Sequence, residues 1–160
     1  MKRAMTMAAC AVMFVGTTGA WASGTIYYGS RVGMEVDVVS ISGLDTRNAV
    51  IRTRHTRANA IGFCRDYIGK VTEECISEEL RTPLNDWVRA NCVTGEFTDF
   101  SGDRHRFTFK KNKPGAMARY RIIDFDTGNV EDGSSASGYG TNADIFAKLC
   151  PRTVPDDYNT

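Results

Sequence analysis

The 160-residue sequence predicts an α+β fold: an antiparallel sheet of about five or six strands, a disulfide-linked helical hairpin, and a short C-terminal helix. Three observations predict it. Runs in which apolar and polar residues alternate are separated by Gly- and Asp-containing turns. One stretch, Thr56 to Leu80, switches to helical spacing. Four cysteines, an even number, remain once an N-terminal leader is set aside.

That leader is read from Lys2 and Arg3, the apolar run Ala8 to Val15, and the small-x-small group Ala20-Trp21-Ala22. The run falls short of the ~20 apolar residues of a spanning helix. The expected organisation is a signal peptide over 1–22, one domain over 23–152 and a flexible tail over 153–160. The expected location is the periplasm, with no stable membrane insertion after cleavage. Without the leader, 18 basic residues face 19 acidic ones, which speaks against a general nucleic-acid binder. In an oxidising compartment Cys64, Cys75, Cys92 and Cys150 read as disulfides. There is no C-x-x-C pair, and His55 and His105 stand far apart among arginines, so neither a metal nor a cofactor is expected.

Met34 to Ile41 and Ala49 to Arg54 read as a strand pair joined by the turn residues Ser42 to Asp45. Thr56 has the character of a helix N-cap, followed by the stripe Ala60, Ile61, Cys64, Tyr67 and Ile68, which Gly69 ends. Thr72 caps a second helix with Glu73 and Glu74 in its first turn and Ile76 and Leu80 on its buried face, until Pro83 interrupts. Two antiparallel helices turning near Gly69 would set Cys64 and Cys75 at one height. That predicts Cys64–Cys75 and leaves Cys92–Cys150, although four cysteines allow three pairings. Leu84, Trp87 and Val88 fit a helical turn and an extended segment equally well. Val93 to Phe100 and His105 to Lys110 flank the turn Ser101-Gly102-Asp103, with Phe107 and Phe109 on one face. Arg119 to Phe125 is a further strand. A last helix, capped at Thr141 or Asn142, turns Ile145, Phe146 and Leu149 inward and stops at Pro151.

Chemistry-bearing motifs are scarce, and no catalytic residue is expected, with a small hydrolase the variant left open. Ser135 and Ser137 lack a nucleophile-elbow frame. His55 and His105 read as solvent-facing members of basic strands, and Glu73, Glu74, Glu78 and Glu79 as a solvated helix face. Arg47, Arg52, Arg54 and Arg57, then Arg104, Arg106, Lys110, Lys111 and Lys113, form two basic clusters. They either keep an exposed sheet face soluble or form a patch for an anionic glycan or lipid.

Residues 132–140 read DGSSASGYG, and no change of composition follows them as it would follow a linker. Glycines that admit close approach, serine hydroxyls and Tyr139 together suit a contact loop. The loop resembles the Ser/Gly-rich, aromatic-terminated motif of the periplasmic and membrane-bound inhibitors of C-type lysozyme. More of the chain, in YYGSRVGMEV, FCRDYIGKVTEEC, NCVTGEFTDFSGDRHRF and DGSSASGY, resembles a family of small exported alphaproteobacterial proteins. Inhibition of peptidoglycan hydrolases has been proposed within that group. The resemblance implies a periplasmic inhibitor of a muramidase, with a peptidoglycan hydrolase as protein partner. Ser135, Ser137, Gly138 and Tyr139 would enter the hydrolase cleft, where serine hydroxyls would meet its carboxylates and Tyr139 would stack in a sugar subsite. Asp124, Asp126, Glu131 and Asp132 would steer a basic hydrolase toward the loop. The alternative is a non-enzymatic envelope protein using its basic sheet face.

Overall fold

The computed structural model describes residues 24–131 and 133–158. The expected signal peptide and Asp132 lie outside the described residues. The fold is α+β, built on one antiparallel sheet in which each strand pairs with its neighbours in sequence. Among the described residues the strands number seven, in the order β1 (Thr25–Tyr27), β2 (Glu35–Ser42), β3 (Ala49–Arg54), β4 (Trp87–Asn91), β5 (Glu96–Thr98), β6 (Arg104–Lys111) and β7 (Tyr120–Asp124). The count exceeds the expected five or six for two reasons. β1 is only three residues long, too short to show an alternation. The run from Val93 to Phe100 is not one strand: Cys92 to Gly95 form the turn between β4 and β5. The segment around Trp87 and Val88, open between helix and strand in the sequence, is extended.

Gly95 makes that turn feasible. It has φ +78°, and a Cβ there would lie 2.0 Å from the Phe107 carbonyl oxygen. That carbonyl belongs to the partner strand β6, so only glycine fits. Further along β6, Phe109 adopts φ 59° and the register with β7 shifts between Phe107 and Lys111. The irregularity ends the alternation: Phe107 is buried, whereas Phe109 is exposed.

The sheet curls around α3 (Tyr139–Leu149), which contacts β1, β3, β4, β6 and β7. Its buried residues Asn142, Ala143, Ile145, Phe146 and Leu149 recur at helical spacing. Phe146 stacks on Phe107 at 5.0 Å between ring centroids and tilts against Phe97 at 5.3 Å. Ile26, Val36, Ile51, Val88 and Ile122 complete this core from the sheet. Cys92–Cys150 ties β4 to the end of α3.

A second, smaller core of Ala60, Phe63, Cys64 and Ile76 lies under α1 (Arg57–Phe63) and α2 (Glu73–Glu79). Thr56 and Asn59 cap α1 reciprocally, and the Thr72 hydroxyl accepts from Cys75 N, as their sequence positions suggest. Between them Cys64–Ile68 winds as a π-helical turn that ends at Gly69. Phe63, the last residue of α1, is already turned inward, and the wider turn after it changes the phase of the apolar stripe, so Tyr67 and Ile68 face solvent. Leu80, expected on the buried face, is exposed, and Glu79 is buried in its place. The Tyr28 hydroxyl donates to the Glu79 carboxylate, and His55 Nε2 lies 3.6 Å away from it. Cys64–Cys75 links the start of the π-helical turn to α2.

The tail is not loose over its described length. Val154 is buried, Tyr158 packs on the main core, and the Asp157 carboxylate accepts from the Tyr120 hydroxyl at 2.7 Å. Lys111 and Arg119 each lie 3.3 Å from the same carboxylate.

Candidate functional site

A cleft of about 640 Å³ opens where the N-terminus of α3, the β1–β2 loop and the ends of β5, β6 and β7 converge. Strand register explains its floor. Phe97 on β5, His105 on β6 and Asp124 on β7 are cross-strand partners. His105 shares strand parity with Phe107, so its ring is turned inward, stacked on Phe97 at 5.2 Å. This corrects the solvent-facing placement expected for His105, which is only 7% exposed.

Two carboxylates reach the imidazole. Glu131 Oε1 lies 3.0 Å from Nδ1, and Asp99 Oδ2 lies 3.4 Å from Nε2. Neither contact is aligned as a good hydrogen bond, but both are close enough for ion pairing. Burial alone would lower the His105 pKa. Pairing with Asp99 and Glu131 outweighs it and raises the pKa to about 9, so the ring is an imidazolium at neutral pH.

The carboxylates are held by their surroundings. Asp99 Oδ1 accepts from Asp103 N at 2.9 Å across the β5–β6 turn. Glu131 N donates to the Ile122 carbonyl, which extends the pairing of β7 by one step, and Glu131 Oε1 also accepts from Asn142 Nδ2 at 3.0 Å. Its second oxygen, Oε2, is buried with no hydrogen-bond partner among the described residues. Asp124 Oδ1 accepts from Asp126 N, Thr127 N and the Thr127 hydroxyl. The Thr127 hydrogen bonds, more than the nearby His105 charge, hold the Asp124 pKa below the usual carboxylate range.

The loop expected to project is one wall of this cleft. Ser135–Ser137 form a single 3-10 turn, and Gly138 leads directly into α3. Gly133 presses against the β6–β7 connection: a Cβ would lie 2.5 Å from Ala118 N. Ser137 and Gly138 line the cleft beside Asp124 and Glu131, so the fold brings four of the expected site residues together. Ser137 Oγ, however, donates to the Ser134 carbonyl at 2.8 Å, and its proton is spent inside the loop. Tyr139 is a core residue, 6% exposed, because it opens the buried face of α3. Its ring is not available to stack in a partner's subsite. Asp126 stands apart, paired with Arg104 on the surface. Asp99 and His105 are the site members that the loop-centred reading missed.

The charge balance of the cleft is acidic. Asp99, Asp103, Asp124 and Glu131 line it against His105 and Arg31. As an imidazolium with a carboxylate at each nitrogen, His105 has no free lone pair to act as a base. No hydroxyl or thiol is hydrogen-bonded to it among the described residues. Among the described residues, too, no cluster of three or more His, Cys, Asp or Glu side chains is arranged to hold a metal ion, and no helix is long and apolar enough to cross a membrane. No family model, curated protein or solved structure matches this chain.

Proposed function

We propose that the protein is a binding protein whose acidic cleft receives a cationic side chain from a basic protein partner. One observation carries the reading: Asp99, Asp103, Asp124 and Glu131 line one cleft against only His105 and Arg31, so its carboxylates outnumber its cations. A guanidinium or ammonium group offsets that excess negative charge, and a concave acidic surface concentrates cations before contact. A basic muramidase, the partner suggested by the sequence resemblance, is the one to test first, with the roles reversed. Its basic side chain would enter this cleft, and substrate access would be blocked by the surrounding surface.

The test is to titrate the purified protein against a C-type lysozyme, following heat of binding and residual activity together. Asp103→Asn and Glu131→Gln are expected to weaken binding about tenfold each, the size of one charge-assisted contact. Ser137→Ala should leave it within about twofold, because its hydroxyl is already engaged. Absence of binding at micromolar excess, or a loss confined to Ser137→Ala, would overturn the reading.

A further inference from the structure

The outer face of the sheet carries a second groove, separate from the acidic cleft except that His105 borders both. It encloses about 580 Å³ and is lined by Arg47, Arg89 and Arg104 with Trp87, Phe125 and Thr98 among their neighbours. Its one lining carboxylate, Glu96, is already paired with Arg106 at 2.7 Å. Arg47, Arg89 and the adjacent Arg52 have no carboxylate partner among the described residues. Strand pairing sets Arg52 opposite Trp87, and Thr98 opposite Arg104, so these side chains project from one face.

The guanidinium groups are held in place by rings. Arg89 lies over Trp87 at 4.0 Å from the ring centroid, while Arg104 and Arg106 lie over Phe125 at 4.3 and 4.8 Å. A stacked guanidinium keeps its N–H edge outward and loses less rotamer freedom when it meets an oxyanion. Asn48, Asn91 and Thr98 add neutral polar groups suited to sugar hydroxyls. None of the large exposed apolar side chains lines this groove, and its partly exposed Trp87 and Phe125 rings are covered by arginines, so it offers little to enter an acyl layer.

We infer that this groove binds a polyanionic glycan, with Arg47 and Arg89 meeting its acidic groups, Arg104 held beside them by Asp126, and the asparagines and threonine meeting its hydroxyls. Heparin is the probe, a soluble sulfated glycan, with phosphatidylglycerol vesicles as the parallel arm. Affinity is measured for the wild type, for Arg47→Gln/Arg89→Gln, and for Lys110→Gln/Lys113→Gln, which removes the same charge outside the groove. The groove variant is expected to bind about tenfold more weakly and the lysine variant within about twofold of wild type. Arg89→Lys should fall between, since it keeps the charge and loses the planar fork. Equal losses in the two double variants would reduce the effect to net charge and overturn the proposal. So would failure to bind heparin at low salt, or vesicle binding in its place.

Discussion

His105 couples the cleft to the stability of the fold. Its imidazolium faces Asp99 and Glu131, with Asp124 as its cross-strand neighbour, and its folded-state pKa of about 9 lies above the ordinary value. A group of this kind contributes stability that is complete below its unfolded pKa of about 6.5 and is lost as pH rises through about 9. Fully expressed, the shift amounts to ~3 kcal/mol, and screening by water in the cleft reduces this to about 2 kcal/mol. Urea unfolding at pH 6 and at pH 9.5 should show that loss in the wild type. His105→Gln should show a flatter profile across the same interval, and an unchanged slope would remove His105 as its source. The inward position was legible in the sequence. His105 has the same parity as Phe107, and the basic residues on both sides obscured it. The approach of Glu131, 26 positions further along, depends on the closure of β7 against the start of α3 and has no local signature.

Elements differ in how they hold together. The Cys64–Cys75 bond closes a separation of 11 residues within the small core of α1 and α2. Cys92–Cys150 spans 58 residues and belongs to the core between sheet and helix. Loop-closure entropy assigns about 3 kcal/mol to the first and about 4 kcal/mol to the second. Cys64→Ala/Cys75→Ala should therefore lower stability less than Cys92→Ala/Cys150→Ala. The first variant should also keep the far-ultraviolet strand signal, and the reverse ranking in denaturant would contradict the assignment of the two cores. The caps at Thr56 and Thr72 and the stop at Gly69 were legible because each is a local backbone requirement. The phase change at Cys64–Ile68 was not. A π-helical turn has no residue signature, and reading Tyr67 and Ile68 at a constant 3.6 spacing places them on the wrong face.

The whole molecule is a curled sheet closed by its last helix and fastened by the segment beyond it. Arg152 binds the Asp45 carboxylate through its backbone N at 2.7 Å and its Nε at 3.0 Å, and Asp157 gathers Tyr120, Lys111 and Arg119. Deleting 153–160 removes the Asp157 and Val154 contacts. It should cost about 1–3 kcal/mol, read as a lower unfolding midpoint with an intact Cys92–Cys150 bond. An unchanged midpoint would show that these contacts add nothing. The polar composition of the tail concealed its docking, because its anchors are single residues that meet distant partners. Fold class was accessible because turns and alternation are local. The acidic cleft was not, because it is assembled from β5, β6, β7 and the entry to α3.

The strict neighbour-to-neighbour order of the strands also sets a timetable. As the chain is made from its N-terminus, each strand finds its partner in the segment just completed. The helix that fills the curl comes last, so the inner face of the nascent sheet stays open until Tyr139–Leu149 emerges. Cys92 likewise waits 58 residues for Cys150, a period in which, among the described residues, Cys64 and Cys75 are the other cysteines already made. Closing 11 residues costs less loop entropy than closing 58, which favours Cys64 and Cys75 as the pair that joins first. Cys92 is thereby left for Cys150, and core closure and the second crosslink coincide once α3 is in place.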